Sequence, residues 1–352
     1  MSAELSHETI LGWLRETDPD SLNRLWHAAD RCRRAQVGDD VHLRGLVEIS
    51  NHCIRLCGYC GLRAGGGRLE RYRMTEAEIV SCAHQAVSFG YGTVVLQSGE
   101  DYGLTEDGVA ALIARIKRET GLAVTLSLGE RLPAELQMWR EAGADRYLLR
   151  FETSDPVLYA AIHPGRDGGP GRLAERLELL RRLREWGYEI GSGVMVGIPG
   201  QTVESLAADI ELIRELDLDM IGIGPYIAHP QTPLGRSAAA SRPGVLDQAR
   251  NDELMVYKML ALARLVCPSA NIPSTTALAT INRQSGHEQG LRRGANVVMP
   301  NLTPPSYRMR YEVYPEKASV DATSEEGREV LNGRIQALGR RVGTGPGGRR
   351  RL

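Results

Sequence analysis

The sequence has almost no net charge: 43 Lys and Arg residues stand against 44 Asp and Glu, a formal balance of -1 with a pI near 6.7. No global basic field is available to recruit nucleic acid or an anionic membrane, so a small molecule or another protein is the expected partner. No apolar run approaches the roughly 18 residues of a membrane-spanning helix. The first stretch, "MSAELSHETILGWLRETDPD", is acidic early and lacks an apolar segment of signal-peptide length, so a cytoplasmic location is expected. Cysteine is scarce, six in 352 residues. That is too few for a disulfide scaffold, and in a reducing compartment clustered cysteines point to metal binding or catalysis.

Also absent are internal repeats beyond a βα unit, long linkers, and a glycine-rich dinucleotide loop opening a first βα unit; the last argues against an open Rossmann sheet. What is present, from Met74 to Met299, is an alternation of short β-rich apolar runs with longer amphipathic stretches. The expected strands are "GLVEIS" (45–50), "GTVVLQ" (92–97), "AVTLSL" (123–128), "DRYLLR" (145–150), "IGSGVMVG" (190–197), "DMIGIGP" (219–225), "NIPSTT" (271–276) and "ANVVMP" (295–300). Between them "MTEAEIVSCAHQAVSFG" reads as a helix with Thr75 and Glu78 as capping box, and "RLAERLELLRRLREWG" as one that stops at Gly187.

The expected fold class is α/β, a (β/α)8 TIM barrel of parallel strands with N-terminal capping helices. The expected divisions are a helical cap (1–42), the barrel (43–315) and a C-terminal extension with a mobile basic tail (316–352). The cap's second helix is N-capped by Asp18 or Asp20. The irregular stretch 225–248 follows the sixth strand, on the face where barrels place chemistry, and is a candidate lid.

Three of the six cysteines, Cys53, Cys57 and Cys60, fall within "NHCIRLCGYCGLR" (51–63), directly after the first strand. Isolated cysteines are usually small buried hydrophobes, and Cys32, Cys82 and Cys267, in or at the ends of helical patterns, are read so. Three in one Gly- and Arg-bearing loop are not core. A structural zinc site wants four ligands, and neither His52 nor another cysteine supplies the fourth. An iron-sulfur cube can take three thiolates and leave one iron open.

This Cys-x3-Cys-x2-Cys array, with Tyr59 before its last cysteine, resembles that of the radical S-adenosylmethionine (SAM) enzymes. The resemblance implies a 4Fe-4S cluster whose open iron is chelated by SAM and whose electron yields a 5'-deoxyadenosyl radical. Further strings resemble the HydE family of FeFe-hydrogenase maturases: "RYRMTEAEI", "VVLQSGED", "VTLSLGE", "AGADRYLLRFET", "MVGIPGQT", "GIGPYIAHPQTPL", "NIPSTTAL" and "GANVVMPNLTP", in family order from about residue 45 to 315. This implies action on a cysteine-bound iron species during H-cluster assembly, with other maturation proteins and an electron donor as partners. Some members hold an accessory cluster on C-terminal cysteines; "YPEKASVDATSEEGREVL" has none, so one cluster per chain is expected. Biotin synthase also uses a second cluster held by strand cysteines, and the later strands here have none.

Alternation places Thr125 and Ser127 on one strand face, and Arg146, Leu148, Arg150 and Glu152 on another. Buried arginines and a glutamate inside a barrel need a ligand or each other. By resemblance Ser127 and Glu152 match SAM contacts, and Arg176, with Arg172 as fallback, matches the arginine that grips the SAM carboxylate. Gln97, Gly99 and Glu100 stand where the superfamily holds the SAM amino group, and Tyr59, Met195 and Pro199 beside the cofactor. Candidate substrate contacts are Thr125, Arg146, Arg150, Thr275, Thr276, Asn301, Thr303 and Tyr307, a set suited to an anionic, amino-acid-like ligand. Two other functions fit the same array: a methylornithine synthase-like enzyme, and an iron-sulfur protein without catalysis.

Overall fold

The computed structural model describes residues 5–66, 69–165, 167–241, 252–318 and 325–349. Seven strands run parallel: β1 (Asp40–Ser50), β2 (Thr93–Ser98), β3 (Ala123–Ser127), β4 (Arg146–Leu148), β5 (Glu189–Val196), β6 (Met220–Pro225) and β7 (Val297–Val298), in the order β6-β5-β4-β3-β2-β1-β7. Single parallel bridges, Met220 to Asn271 and Pro273 to Val297, seat the extended segment 271–273 between β6 and β7 and join the two edges. A last short strand, β8 (Arg341–Val342), pairs with the start of β1. The seventh expected strand is shorter than "NIPSTT": Thr275 already caps the helix Thr276–Ile281.

The alternation follows the sequence. Val124, Leu126 and Leu128, and likewise Tyr147, Leu149 and Phe151, face the helices and join the main core. Their neighbours Thr125, Leu148 and Arg150 line an interior cavity. The capping box of the helix Glu76–Ser88 forms as expected, Thr75 and Glu78 each closing the other's backbone N–H.

The N-terminal helices His7–Arg15 and Pro19–Val37, the second capped by Asp18, do not cap an end of the barrel. They pack on its flank, against the helices Val203–Glu215 and Glu253–Val266. Their buried stripes, Ile10 and Leu14, then Leu22, Leu25 and Ala29, need an apolar partner. The helix Glu253–Val266, buried without a break from Val256 to Arg264, needs cover on its outer side. Lys258 fastens the joint by donating to the Leu14 carbonyl at 2.8 Å.

The C-terminal tail is the second departure. Through Arg349 it is not a free basic segment but is hydrogen-bonded across the barrel's N-terminal mouth. Its arginine finds Asp217, and its glycines allow the backbone to lie flat on polar side chains. Of the candidate lid, the part up to Ser241 includes the helix Pro233–Ser241; the rest lies outside the described residues.

Candidate active site

The cysteine loop leaves β1 at the C-terminal face of the barrel and is tied down on several sides. Ile54 N–H donates to the Glu100 carbonyl (3.0 Å), Gly58 N–H to Ile162 (2.7 Å) and Gly61 N–H to Val313 (2.9 Å). Leu234, on the lid segment, donates to the Gly58 carbonyl at 2.9 Å. Two arginines brace the loop from behind: Arg63 donates to the carbonyls of Leu56 and Cys57, and Arg71 to those of Asn51, Leu62 and Arg63. At the entrance Asp101 receives both Arg73 (2.7 and 2.8 Å) and the Ser50 hydroxyl (2.6 Å).

The three thiols affect one another. Burial, and then the neighbouring Cys53, push Cys57 up to about 12; burial, Cys57 and Cys53 push Cys60 higher still, and burial raises Cys53. Three thiolates together here require a strong local positive charge. No three His, Cys, Asp or Glu side chains among the described residues converge as a single-ion site; a four-iron cube binds each thiolate at a different iron and does not ask for such convergence. Cys32, Cys82 and Cys267 instead contact the carbonyls of Arg264, Leu302 and Ile213 in packed positions.

Next to the loop lies a charged cluster that alternation did not assemble. Arg176 reaches Glu130 through Nε (2.9 Å) and Nη2 (2.8 Å), and the Arg150 carbonyl through Nη1 (2.7 Å). Arg55, inside the cysteine loop, meets the same Glu130 at 3.2 Å and His163 at 3.2 Å. Glu100 accepts the Glu130 N–H (2.9 Å), and its own N–H points at Cys53 Sγ (3.4 Å). Arg172 pairs with Glu175 on the exposed helix surface, so the inward arginine is Arg176. Glu152 has φ of 66°, a left-handed conformation that a glutamate adopts at a cost of about 1–3 kcal/mol. Its Oε2 lies 3.1 Å from Arg150 Nη2 but in no hydrogen-bonding geometry, and burial raises its carboxyl.

Facing these charges is a small apolar cluster of Ile162, Met195, Ile198, Tyr226 and Ala228, with Tyr59 packed on it. Pro199 follows it in the chain. Gln97 donates to Tyr311 at 3.2 Å, and Ser127 stands level with Gln97 on the adjoining strand. Below, inside the barrel, a cavity of about 70 Å³ is lined by Thr125, Arg150, Thr275, Arg44, Asn271 and Met299, among others. A larger surface cavity of about 610 Å³, walled by the helix Glu325–Ala337 and by His287, contains none of the candidate residues.

Of the expected substrate contacts, Thr125, Arg150 and Thr275 share this cavity. Asn301 and Thr303 sit elsewhere in the interior, around Glu48: Asn301 Nδ2 donates to its carboxylate (3.1 Å) and Thr303 Oγ1 accepts its N–H (2.8 Å). Lys317 pairs with the same carboxylate. Arg146 lies at the opposite mouth, bound to Glu189 (2.6 Å) and the Pro346 carbonyl (3.0 Å), because it starts its strand rather than ending it. Tyr307 packs on Tyr72 with the two rings tilted by 36° and donates to Glu78, and Thr276 is the first residue of its helix, not a strand residue. Arg44, Glu48, Arg55, Glu130 and Lys317 were missed. Arg44 and Glu48 carried a signal, since both fall on the even positions of β1, which point inward.

Residues 47–213 match the Radical SAM superfamily. Over 349 residues the chain is 44% identical to the [FeFe] hydrogenase maturase subunit HydE of Thermotoga maritima, covering 99% of this chain and 95% of that protein. The chain belongs to the HydE family of radical SAM enzymes. It is also similar to the 3-methylornithine synthase of Methanosarcina acetivorans, 27% identical with 84% of this chain and 79% of that protein covered. In fold it matches the crystal structure of methylornithine synthase (PylB), with a TM-score of 0.80 and 24% identity over 97% of this chain and 95% of that one.

Proposed function

We propose that this HydE-family chain holds one 4Fe-4S cluster on Cys53, Cys57 and Cys60 and binds SAM beside it. Its substrate is an anionic, amino-acid-like iron species in the barrel, in the assembly of the FeFe-hydrogenase H-cluster. The observation that carries the reading is the stacking of three layers in one barrel: the cysteine loop, the charged and apolar pair of surfaces beside it, and a cation-lined cavity beneath. The 44% identity to a hydrogenase maturase subunit supports the assignment of pathway.

The residues fit the groups. Glu152 Oε2, Arg150 Nε and Arg55 Nε are buried without hydrogen-bond partners among the described residues, as is Thr125 Oγ1 below them. Such orphaned atoms are costly unless a ligand meets them. SAM is a zwitterion with a sulfonium and a ribose: Arg176 is the cation for its carboxylate, Glu152 and Ser127 acceptors for its amine and hydroxyls, and Tyr59, Met195 and Pro199 an apolar seat for its adenine. When bound, cluster and SAM supply an electron and a 5'-deoxyadenosyl radical. The chain's own part is positional. Arg55 and Arg176 share Glu130 and so lock each other's rotamers, the apolar cluster excludes water, and Thr125, Arg150 and Thr275 hold the substrate below.

The test is anaerobic reconstitution followed by reduction with dithionite, with 5'-deoxyadenosine measured by chromatography, and activation of a coexpressed FeFe-hydrogenase with and without this chain. Product and activation are both expected. A four-iron protein that yields no 5'-deoxyadenosine would mean that it carries its cluster without catalysis. Product without activation, together with rearrangement of supplied lysine, would move the substrate toward the methylornithine synthase type.

A further inference from the structure

The barrel has a second mouth, at the N-terminal ends of its strands, and the chain's own tail lies across it. After β8, Gly343 donates to the Val41 carbonyl at 2.9 Å. The Pro346 carbonyl then accepts from Thr93 (2.9 Å) and Arg146 (3.0 Å), and the Gly347 carbonyl from Arg44 (3.0 Å) and Asn271 (3.0 Å). Arg349 ends the crossing with Asp217 at 2.6 Å, Asp219 at 3.4 Å and Ser269 Oγ at 2.9 Å. The segment therefore touches β1, β2, β4, the approach to β6 and the segment 271–273.

Close approach requires its glycines. A Cβ at Gly347 would stand 2.5 Å from the His42 ring and one at Gly348 2.7 Å from Glu189 Oε1, while Gly92 has no room for a Cβ against the Gly345 carbonyl. Behind this layer is Arg44, a fully buried cation. Its partners among the described residues are the Met220 sulfur and the Gly347 carbonyl, and its Nε has none. Arg44 and Asn271 also line the interior cavity, so residues 346–347 are one layer away from it.

The fastening is unusual for a terminal segment. It is entirely polar, and "GTGPGGR" (343–349) has no apolar side chain except Pro346 to bury. Release exchanges these hydrogen bonds for water and exposes little apolar surface, which places the segment at the low-stability end of local opening.

We propose that residues 343–349 are a gate on the barrel's second mouth, latched by Arg349 on Asp217 and Asp219, through which small solutes reach the chamber. This rests on the cavity being the reaction chamber. The probe is phenylglyoxal, which modifies arginine, applied to the cluster-loaded, SAM-bound full chain, with modification of Arg44 and Arg146 followed by peptide mass spectrometry. In the full chain both arginines label slowly. Arg349→Glu, which sets like charges against the two aspartates, accelerates labelling about tenfold, the scale of losing one charge-assisted contact, and a chain ending at Val342 labels fastest. SAM affinity, read at the other mouth, is unchanged in both variants.

Equal labelling in the full and shortened chains would mean that the tail covers nothing. Faster labelling only in the shortened chain would mean a fixed wall without a latch, and either result overturns the gate. If the shortened chain does not melt cooperatively, Arg349→Glu decides alone. Absence of SAM cleavage would count against the enzymatic reading and leaves the labelling result standing.

Discussion

Gly99 lies directly against Cys53: a Cβ built on it would stand 2.6 Å from the Cys53 Cβ and would also strike the His52 carbonyl. The glycine after β2 thus makes room for Cys53, the first of the three cysteines proposed to hold the cluster. Gly99→Ala forces that loop outward, an overpacking cost of about 1–3 kcal/mol. The expected result is a folded protein that binds less than half the iron of the parent after reconstitution, read by iron assay and visible absorbance. Full iron loading would remove the steric role assigned to Gly99.

Arg176 is held by two hydrogen bonds, to Glu130 and to the Arg150 carbonyl, and by a further ion-pair contact with Glu130, and so presents a fixed guanidinium. Arg176→Ala should weaken SAM binding by about 2 kcal/mol, roughly 30-fold, the scale of a charge-assisted hydrogen bond. Arg176→Lys should recover only part, since a lysine cannot serve both partners in one plane. Titration calorimetry on cluster-loaded protein measures this, and an unchanged affinity in both variants would exclude Arg176 from the carboxylate site.

Strand alternation was legible because both faces of each strand are under constraint. Val124, Leu126 and Leu128 had to meet helices, which sent Thr125 inward without reference to any structure. Depth along the barrel axis was not legible. Arg146 and Arg150 share a face and differ by four residues, yet Arg150 lines the interior cavity and Arg146 lies at the N-terminal mouth, because position on a strand depends on where the register begins. The charged cluster was hidden for a different reason. Arg55, Glu130 and Arg176 come from three separate loops and helices, and no local pattern encodes their meeting on one carboxylate. Nor did composition distinguish a mobile Gly- and Arg-rich tail from one whose glycines are needed for close packing.

Glu48, fully buried on β1, is paired with Lys317 from beyond β7, which ties the C-terminal extension to the barrel interior. Lys317→Ala leaves a buried carboxylate without its cation, a loss of about 3 kcal/mol. Adding Glu48→Gln should restore most of it, because the desolvated charge is then gone. Urea unfolding of the parent and the single and double variants measures the coupling; additive losses would show that the pair contributes nothing to stability.

Asp209, on the helix Val203–Glu215, is fully buried and accepts the Ser154 N–H at 2.6 Å, while its other oxygen has no partner among the described residues. Burial raises its carboxyl to about 7, against 3.8 for the free side chain. The folded protein therefore binds a proton that the unfolded chain has already released between these values. Its contribution to stability is complete below the unfolded value and is lost as pH rises through the folded one. The parent should lose a few kcal/mol between about pH 4 and pH 8 from this group, an order-of-magnitude figure from the size of the shift. Asp209→Asn keeps an acceptor for Ser154 and removes the titration, so its melting temperature should fall less between pH 5 and pH 8 than that of the parent. Parallel pH profiles for the two proteins would show that Asp209 is already ionised in the folded state.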